Sequence, residues 1–229
     1  MSIKIMTYNI RHGKGLDNRQ QFLRITDLVR NTRPDILGIN ELDCYNPRSK
    51  LENQPRLLAD TLGYEFVFHP ILKLGWALYG NGLFSRWPIV DYKLHRLPGT
   101  KEPRGCIEAK IQHPQGLIRV ITLHLGLGQG EQEEQLTKVA LIVGKSVFPT
   151  LVTGDFNRTL GSEVGVLGLL DTYTIAEMDN GNTFPANNPT LRIDYILCTE
   201  HFQVEKVWVV ESQASDHLPV VALVGLGKD

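Results

Sequence analysis

Short apolar runs separated by turn residues recur along almost the whole chain, and they leave room for few helices. A run too short for a stable helix and bounded by Gly, Pro, Asn or Asp reads as a strand, which restricts the chain to a fold dominated by sheet. Strands are expected at 3–10, 35–41, 64–68, 80–86, 89–96, 106–113, 117–124 and 149–155, and near 193–198, 203–210 and 219–224. The pair 106–113 and 117–124 is joined by His-Pro-Gln-Gly, a turn signal. In the first run Ile3, Ile5, Thr7 and Asn9 share one face, and Lys4, Met6, Tyr8 and Ile10 the other.

Helical spacing is confined to three places. Residues 18–32 carry Phe22, Ile25, Leu28 and Val29, with Asp17 or Asn18 as cap and Pro34 beyond the end. Residues 53–62 are closed by Gly63, and a polar helix covers 131–146. Many strands and few helices imply two packed sheets with helices on their outer faces. No composition break, repeat or linker divides the 229 residues, so one domain, 1–229, is expected.

Composition narrows function. Apolar residues at 42% and charged residues at 21% are ordinary for a globular protein. A formal charge of −1 counts against a protein that coats nucleic acid through a broad positive field. A nuclease stays open, because a divalent metal lets carboxylates meet a phosphate. Cys44, Cys106 and Cys198 are odd in number and widely spaced, as free thiols are. The first residues turn polar too soon for a secretory core, and no run approaches the roughly 18 apolar residues of a membrane span. A cytoplasmic monomer without a transmembrane segment is expected.

Three polar clusters fused to strands carry the chemistry: Thr-Gly-Asp-Phe-Asn at 153–157, Arg-Ile-Asp-Tyr-Ile at 192–196 and Ser-Asp-His-Leu-Pro-Val at 215–220. In an extended segment Asp155 and Asn157 share a face while Phe156 enters the core; the same pair also makes turns. Asp194 sits among Ile193, Ile196 and Leu197, where an acid is costly unless paired. His217 is a candidate base whose tautomer Asp194 could hold, with Asp216 beside it as a metal ligand; a surface turn is the alternative. Glu41 and Asn9 end early strands and offer hard oxygen ligands suited to Mg²⁺ or Mn²⁺. His124 ends its strand as a site group or a packed histidine, and the following Leu-Gly-Leu-Gly-Gln-Gly lacks the Gly-Lys-Ser/Thr ending of a P-loop. Arg104 either reaches substrate phosphate or is a solvated loop residue. Trp76 and Tyr79, in the apolar group with Leu72, Leu74 and Leu78, are expected to close the core; exposed at a cleft, they would favour a lipid headgroup or a stacked base.

Taken in order, Thr-Tyr-Asn-Ile-Arg-His-Gly at 7–13, Ile-Asn-Glu at 39–41, Gly-Asn-Gly-Leu-Phe-Ser-Arg at 80–86 and the three clusters above resemble the motif set of the endonuclease/exonuclease/phosphatase superfamily. The resemblance implies a DNase I-like, four-layered α/β-sandwich, with two central mixed or largely antiparallel β-sheets flanked by helices and an active site at one edge. It makes Glu41 the principal metal carboxylate, helped by Asn9 and Asp216. Asp155 and Asn157 would orient water and phosphate, Asp194 and His217 would form a dyad, His124 would act from the opposite side, and Asn81 would position a phosphate oxygen. Asn-Glu at 40–41 departs from the common Gln-Glu and shortens the amide beside Glu41. The expected activity is that of a Mg²⁺- or Mn²⁺-dependent phosphodiesterase acting on a phosphate ester, nucleic acid included. A phosphomonoesterase or phospholipid diesterase is the alternative, and a non-catalytic binding protein on the same fold is the third reading.

Overall fold

The computed structural model describes residues 1–144, 147–172 and 181–227. The elements run β1 (Ser2–Asn9), α1 (Phe22–Thr32), β2 (Ile36–Cys44), α2 (Gln54–Leu62), β3 (Glu65–Leu74), β4 (Ala77–Ser85), β5 (Ile89–Leu97), β6 (Arg104–His113) and β7 (Gly116–His124). They continue with α3 (Gln129–Val143), β8 (Thr150–Asp155), the one-turn α4 (Glu163–Val166), β9 (Leu170–Asp171), β10 (Asp194–Cys198), β11 (Phe202–Val209) and β12 (Val220–Leu226). One six-stranded sheet has the order β11-β12-β1-β2-β4-β3 and the other β5-β6-β7-β8-β10-β9. Both are mixed: β1 runs parallel to β2 and β7 parallel to β8, and the remaining neighbours are antiparallel.

Period-two alternation sorts the strand residues into layers. Ile3, Ile5, Ile36, Leu83, Ile107, Val120, Leu151 and Ile196 meet between the sheets. Met6, Tyr8, Leu37 and Ile39 face the other way, onto Phe22, Ile25 and Val29 of α1 and Leu58 of α2. Ile121, Leu123 and Val152 pack against Leu136, Val139 and Val143 of α3. Each fully buried aliphatic side chain contributes roughly 1.5–3 kcal/mol, so the three clusters explain why helices cover the outer faces.

The interior face changes character along each strand. Aliphatic residues give way to Thr7, Gly38, Thr122 and Thr153, and these to Asn9, Asn40, His124 and Asp155 at one edge. Gly38 lets the sheets close at this level, since a Cβ there would lie 2.4 Å from Thr153 Oγ1 and 2.6 Å from Thr122 Oγ1. The hydroxyls of Thr7, Thr122 and Thr153 are buried without a protein partner.

Several expectations need correction. Helix α1 starts at Phe22 with Gln21 as N-cap, because Lys14 and Gln20 form a bridge and Asn18 has a φ of 60°. The third helix runs Gln129–Val143, and residues 145–146 of its expected range lie outside the described residues. Trp76 is 73% exposed at the tip of the β3–β4 hairpin and Leu74 is 65% exposed, so they do not close the core. Tyr79 is half-buried with the Arg48 guanidinium 5.2 Å over its ring. Among the described residues no helix is long and apolar enough to cross a membrane.

Candidate active site

The site lies where β1, β2, β7, β8 and β10 reach the same edge of the sandwich. Asp155, at the end of β8, is its centre. Its Oδ2 accepts from Asn9 Nδ2 at 2.9 Å and lies 3.5 Å from His124 Nε2 and 3.7 Å from His217 Nε2. Its Oδ1 accepts from the Asn157 amide at 2.8 Å. Asn157 has a φ of 51° and donates its Nδ2 to Leu125 O, so of the two readings open for 155–157 the turn holds and the extended segment does not. Phe156 does enter the core, edge-on to Tyr195.

Asn40 fixes Asp155 from the other sheet. Its Oδ1 accepts from the Asp155 amide at 3.1 Å, while its Nδ2 donates to Leu123 O and to Asn81 Oδ1. Asn81 in turn donates to Gly105 O, so both ends of its carboxamide are held by protein. The short amide at position 40 therefore bridges the sheets. Beside it, β2 carries a bulge in which Asn40 and Glu41 stand opposite Asn81, between the pairs Ile39–Gly82 and Leu42–Gly80. Glu41 takes a φ of 67° there, and the extra residue turns its side chain toward the site, where its Oε1 accepts from Asn9 Nδ2 at 3.1 Å.

Asp194 opens β10 and is fully buried. Its Oδ2 accepts from His217 Nδ1 at 2.9 Å and from Thr183 Oγ1 at 2.6 Å, while its Oδ1 is buried without a partner. Phe184 lies against the His217 ring, with centroids 4.8 Å apart. Ser215 ties this loop to β1 by donating to Asn9 O, and Asp216 is paired with Arg11 at 3.3 Å. Arg104 opens β6 and is only 7% exposed, which corrects the solvated-loop reading; its Nη1 lies 3.0 and 3.1 Å from the two ring nitrogens of His124, against the imidazole. Thr183, Phe184 and Arg11 were not singled out from sequence: the first two lie in a loop without periodicity, and only tertiary packing brings them to His217.

Electrostatics divide the two imidazoles. Burial, the Arg104 guanidinium and His217 hold His124 well below its usual range, so it is neutral. Burial also opposes charge on His217, but Asp194, Asp155 and Asp216 outweigh it and push His217 up to about 10. Burial, reinforced by Asp194, raises Asp155 to about 7. Glu41 is raised by burial and by Asp216, against the hydrogen bond from Asn9. Among the described residues, ligand atoms of Asp155, Asp194 and His217 lie within 4.8 Å of one another, a spacing a divalent cation can bridge. The donors are oxygen and imidazole nitrogen, the three cysteines are buried free thiols, and Asp194 Oδ1 is buried without a hydrogen-bond partner; the site fits a divalent metal.

Such an acid-and-imidazole cleft at the edge of a DNase I-like sandwich defines a metal-dependent hydrolase of phosphoric esters. The chain belongs to the Endonuclease/Exonuclease/phosphatase family, whose defining pattern matches residues 6–217. It is similar in structure to an endonuclease/exonuclease/phosphatase family protein from Bacteroides thetaiotaomicron, with a TM-score of 0.83, 21% identity, and coverage of 100% of this chain and 99% of that one. A mannosyl-6-phosphatase from Bacteroides thetaiotaomicron VPI-5482 gives a TM-score of 0.80 at 21% identity, covering 98% and 100% of the two chains. The human Nocturnin catalytic domain with bound sulfate gives 0.76 at 21% identity, covering 99% and 94%. None of the curated proteins matches the chain significantly.

Proposed function

We propose that the chain cleaves the ester bond of an organic phosphate by in-line attack of water, with Asp155 as general base. The observation that carries this reading is the position of Asp155 Oδ2, 3.5 Å from one imidazole and 3.7 Å from the other. Glu41, Asn9 and Asp216 would hold Mg²⁺ or Mn²⁺, beside the group of Asp155, Asp194 and His217, in which His217 as an imidazolium is a hydrogen-bond donor and not a ligand. When bound, the ion neutralises phosphate oxygens and the charge developing on the leaving oxygen.

The chain's own residues then divide the work. Asp155, with its pKa near 7, takes a proton from water at neutral pH, and Asn157 fixes that carboxylate through its backbone N–H. His217 is already protonated at that pH, which favours Asp155 over His217 as base and makes His217 Nε2–H a donor to a phosphate oxygen. Asp194 and Thr183 hold the imidazolium in place. His124, being neutral, donates a hydrogen bond and not a proton, and Arg104 adds fixed positive charge beside it. Asn81 acts one layer back, through Asn40, in positioning these groups.

A phosphodiester substrate, nucleic acid included, has one specific observation in its favour: exposed Trp76 offers a ring on which a base can stack. Initial rates with Mn²⁺ on p-nitrophenyl phosphate and on bis(p-nitrophenyl) phosphate test both the reaction and the branch. Turnover of at least one, abolished by EDTA, is expected. If neither is hydrolysed at any metal concentration, the hydrolase mechanism fails and a binding role on the same fold takes its place.

A further inference from the structure

Past Glu41, β2 continues through Leu42 and Asp43, and Asp43 stands opposite Tyr79 of β4. β4 carries no extra residue between Tyr79 and Asn81, so Tyr79 shares a face with Asn81, which is bonded to Asn40 in the site. The Asp43–Tyr79 pair is therefore the next rung beyond Glu41 and Asn81 toward the hairpin tip, roughly 6–7 Å along the strands. Arg48 closes over this rung. Its Nε donates to Asp43 Oδ2 and its Nη2 to Asp43 Oδ1, both at 2.8 Å, and the guanidinium carbon lies 5.2 Å from the centre of the Tyr79 ring. Asn46 fixes the tight turn at 47–49, accepting from the Arg48 amide at 3.2 Å and donating to Asp43 Oδ1 at 3.3 Å. The Asp43 amide donates to Gln54 Oε1, and Gln54 Nε2 donates to His12 O, so the rung is braced against the loop that follows Asn9.

A surface arginine ordinarily gives up rotamer freedom for little return. Here an ion pair, a ring and a braced turn all hold one that stays accessible. The Arg48 side chain is 45% exposed while that of Asp43 is fully buried, so the pair presents a guanidinium and no carboxylate to solvent. Asp43 occupies the Nε side of the guanidinium; among the described residues Nη1 has no partner, and the end-on edge formed by Nη1 and the second N–H of Nη2 stays open. Two parallel N–H groups on that edge match the oxygens of a phosphate or a carboxylate. The edge belongs to the charges around the cleft. Hydrogen bonds to Asp43 raise the Arg48 pKa and the Glu41 charge adds to this, while burial raises Tyr79, on which the charges of Glu41, Glu102, Arg104 and Arg48 all act. Neutralising Asp43 alone requires neither the ring nor an exposed edge.

We propose that Arg48 is a specificity-determining residue that binds a second anionic group of the substrate, a phosphate or a carboxylate carried on the part of the molecule that is not cleaved. The group docks end-on against Nη1 and Nη2, one rung from Glu41, while Asp43 and Tyr79 hold the guanidinium still. The proposal rests on the phosphate-ester reading above and adds to it a requirement for charge that the reaction centre does not itself impose.

The test uses the full chain with saturating Mn²⁺ and a matched series of alkyl phosphates, about three to six carbons long, that end in a hydroxyl, a carboxylate or a second phosphate, each as the monoester and as its p-nitrophenyl diester. In the wild type at least one anionic end raises kcat/KM over the hydroxyl end by about 10- to 150-fold, mostly through KM, the range for hydrogen bonds to a charged group. The carboxylate and phosphate arms tell the two sources of the anion apart. In Arg48→Gln the preference disappears, and Arg48→Lys, which keeps a cation against Asp43 for folding but no fork, loses most of it. A wild type that hydrolyses p-nitrophenyl phosphate or its diester yet shows no preference for an anionic end overturns the subsite and leaves the phosphate-ester reading standing. So does a preference that a folded Arg48→Gln retains or that Arg48→Lys keeps in full. A wild type that cleaves no member of the series and neither p-nitrophenyl ester overturns the phosphate-ester reading, and the subsite with it.

Discussion

Asp155 lies between two imidazoles that the fold keeps in different charge states, His124 neutral and His217 charged. This asymmetry makes the pH behaviour testable. The rate should rise with pH along an acidic limb at or below about 7, as Asp155 gives up its proton; a pH–rate profile without that limb contradicts Asp155 as the base. Stability follows from His217. Its folded pKa of about 10 exceeds the unfolded 6.5, so its contribution is fully present below 6.5 and lost as pH rises through 10. In metal-free protein, the Tm advantage of wild type over His217→Asn should therefore shrink between pH 6.5 and 10; an advantage that grows over that window contradicts the assignment. Asn9, Glu41, Asp155, Asp194 and His217 were legible because each interrupts or ends an apolar run, where a polar residue needs a reason. Thr183 was not, since a threonine in an irregular loop carries no such contrast.

At the scale of elements, the strands decide where the site can form. Asn40 spans the sheets, so Asn40→Ala leaves the Asp155 N–H and the Leu123 carbonyl without this partner and should lower stability by about 1–3 kcal/mol, read by urea denaturation, together with activity. Thr153→Val removes a buried hydroxyl that has no protein partner while keeping the shape, and should stabilise by about 1 kcal/mol; a loss of that size would show that the hydroxyl is satisfied after all. Gly38→Ala forces a methyl against Thr153 and Thr122 and should cost about 1–3 kcal/mol. The alternation of Ile3, Ile5, Thr7 and Asn9 was readable as one face of β1, and it proves to be the inter-sheet face. The β2 bulge was not readable, because one extra residue in a ladder leaves no composition signal and only the partner strand defines it. The start of α1 was misplaced for a related reason: Asp17 and Asn18 are good caps, but the Lys14–Gln20 bridge uses that segment otherwise.

For the whole molecule, the resemblance drawn from six ordered motifs and the family pattern over residues 6–217 agree on the fold, and the two mixed sheets flanked by helices realise it. The hairpin that carries Trp76 escaped because β3 and β4 extend to a tip that none of the described residues covers, and an aromatic residue in a strand-like run gives no hint of where its sheet ends. The central claim is that Asp155 activates water in a metal-dependent cleavage. Its most direct measurement is kcat on p-nitrophenyl phosphate with Mn²⁺ for wild type and for Asp155→Asn, with circular dichroism to establish that both are folded. A loss of about 10²- to 10⁴-fold is expected in the variant; a folded Asp155→Asn that retains the wild-type rate would rule Asp155 out as the base.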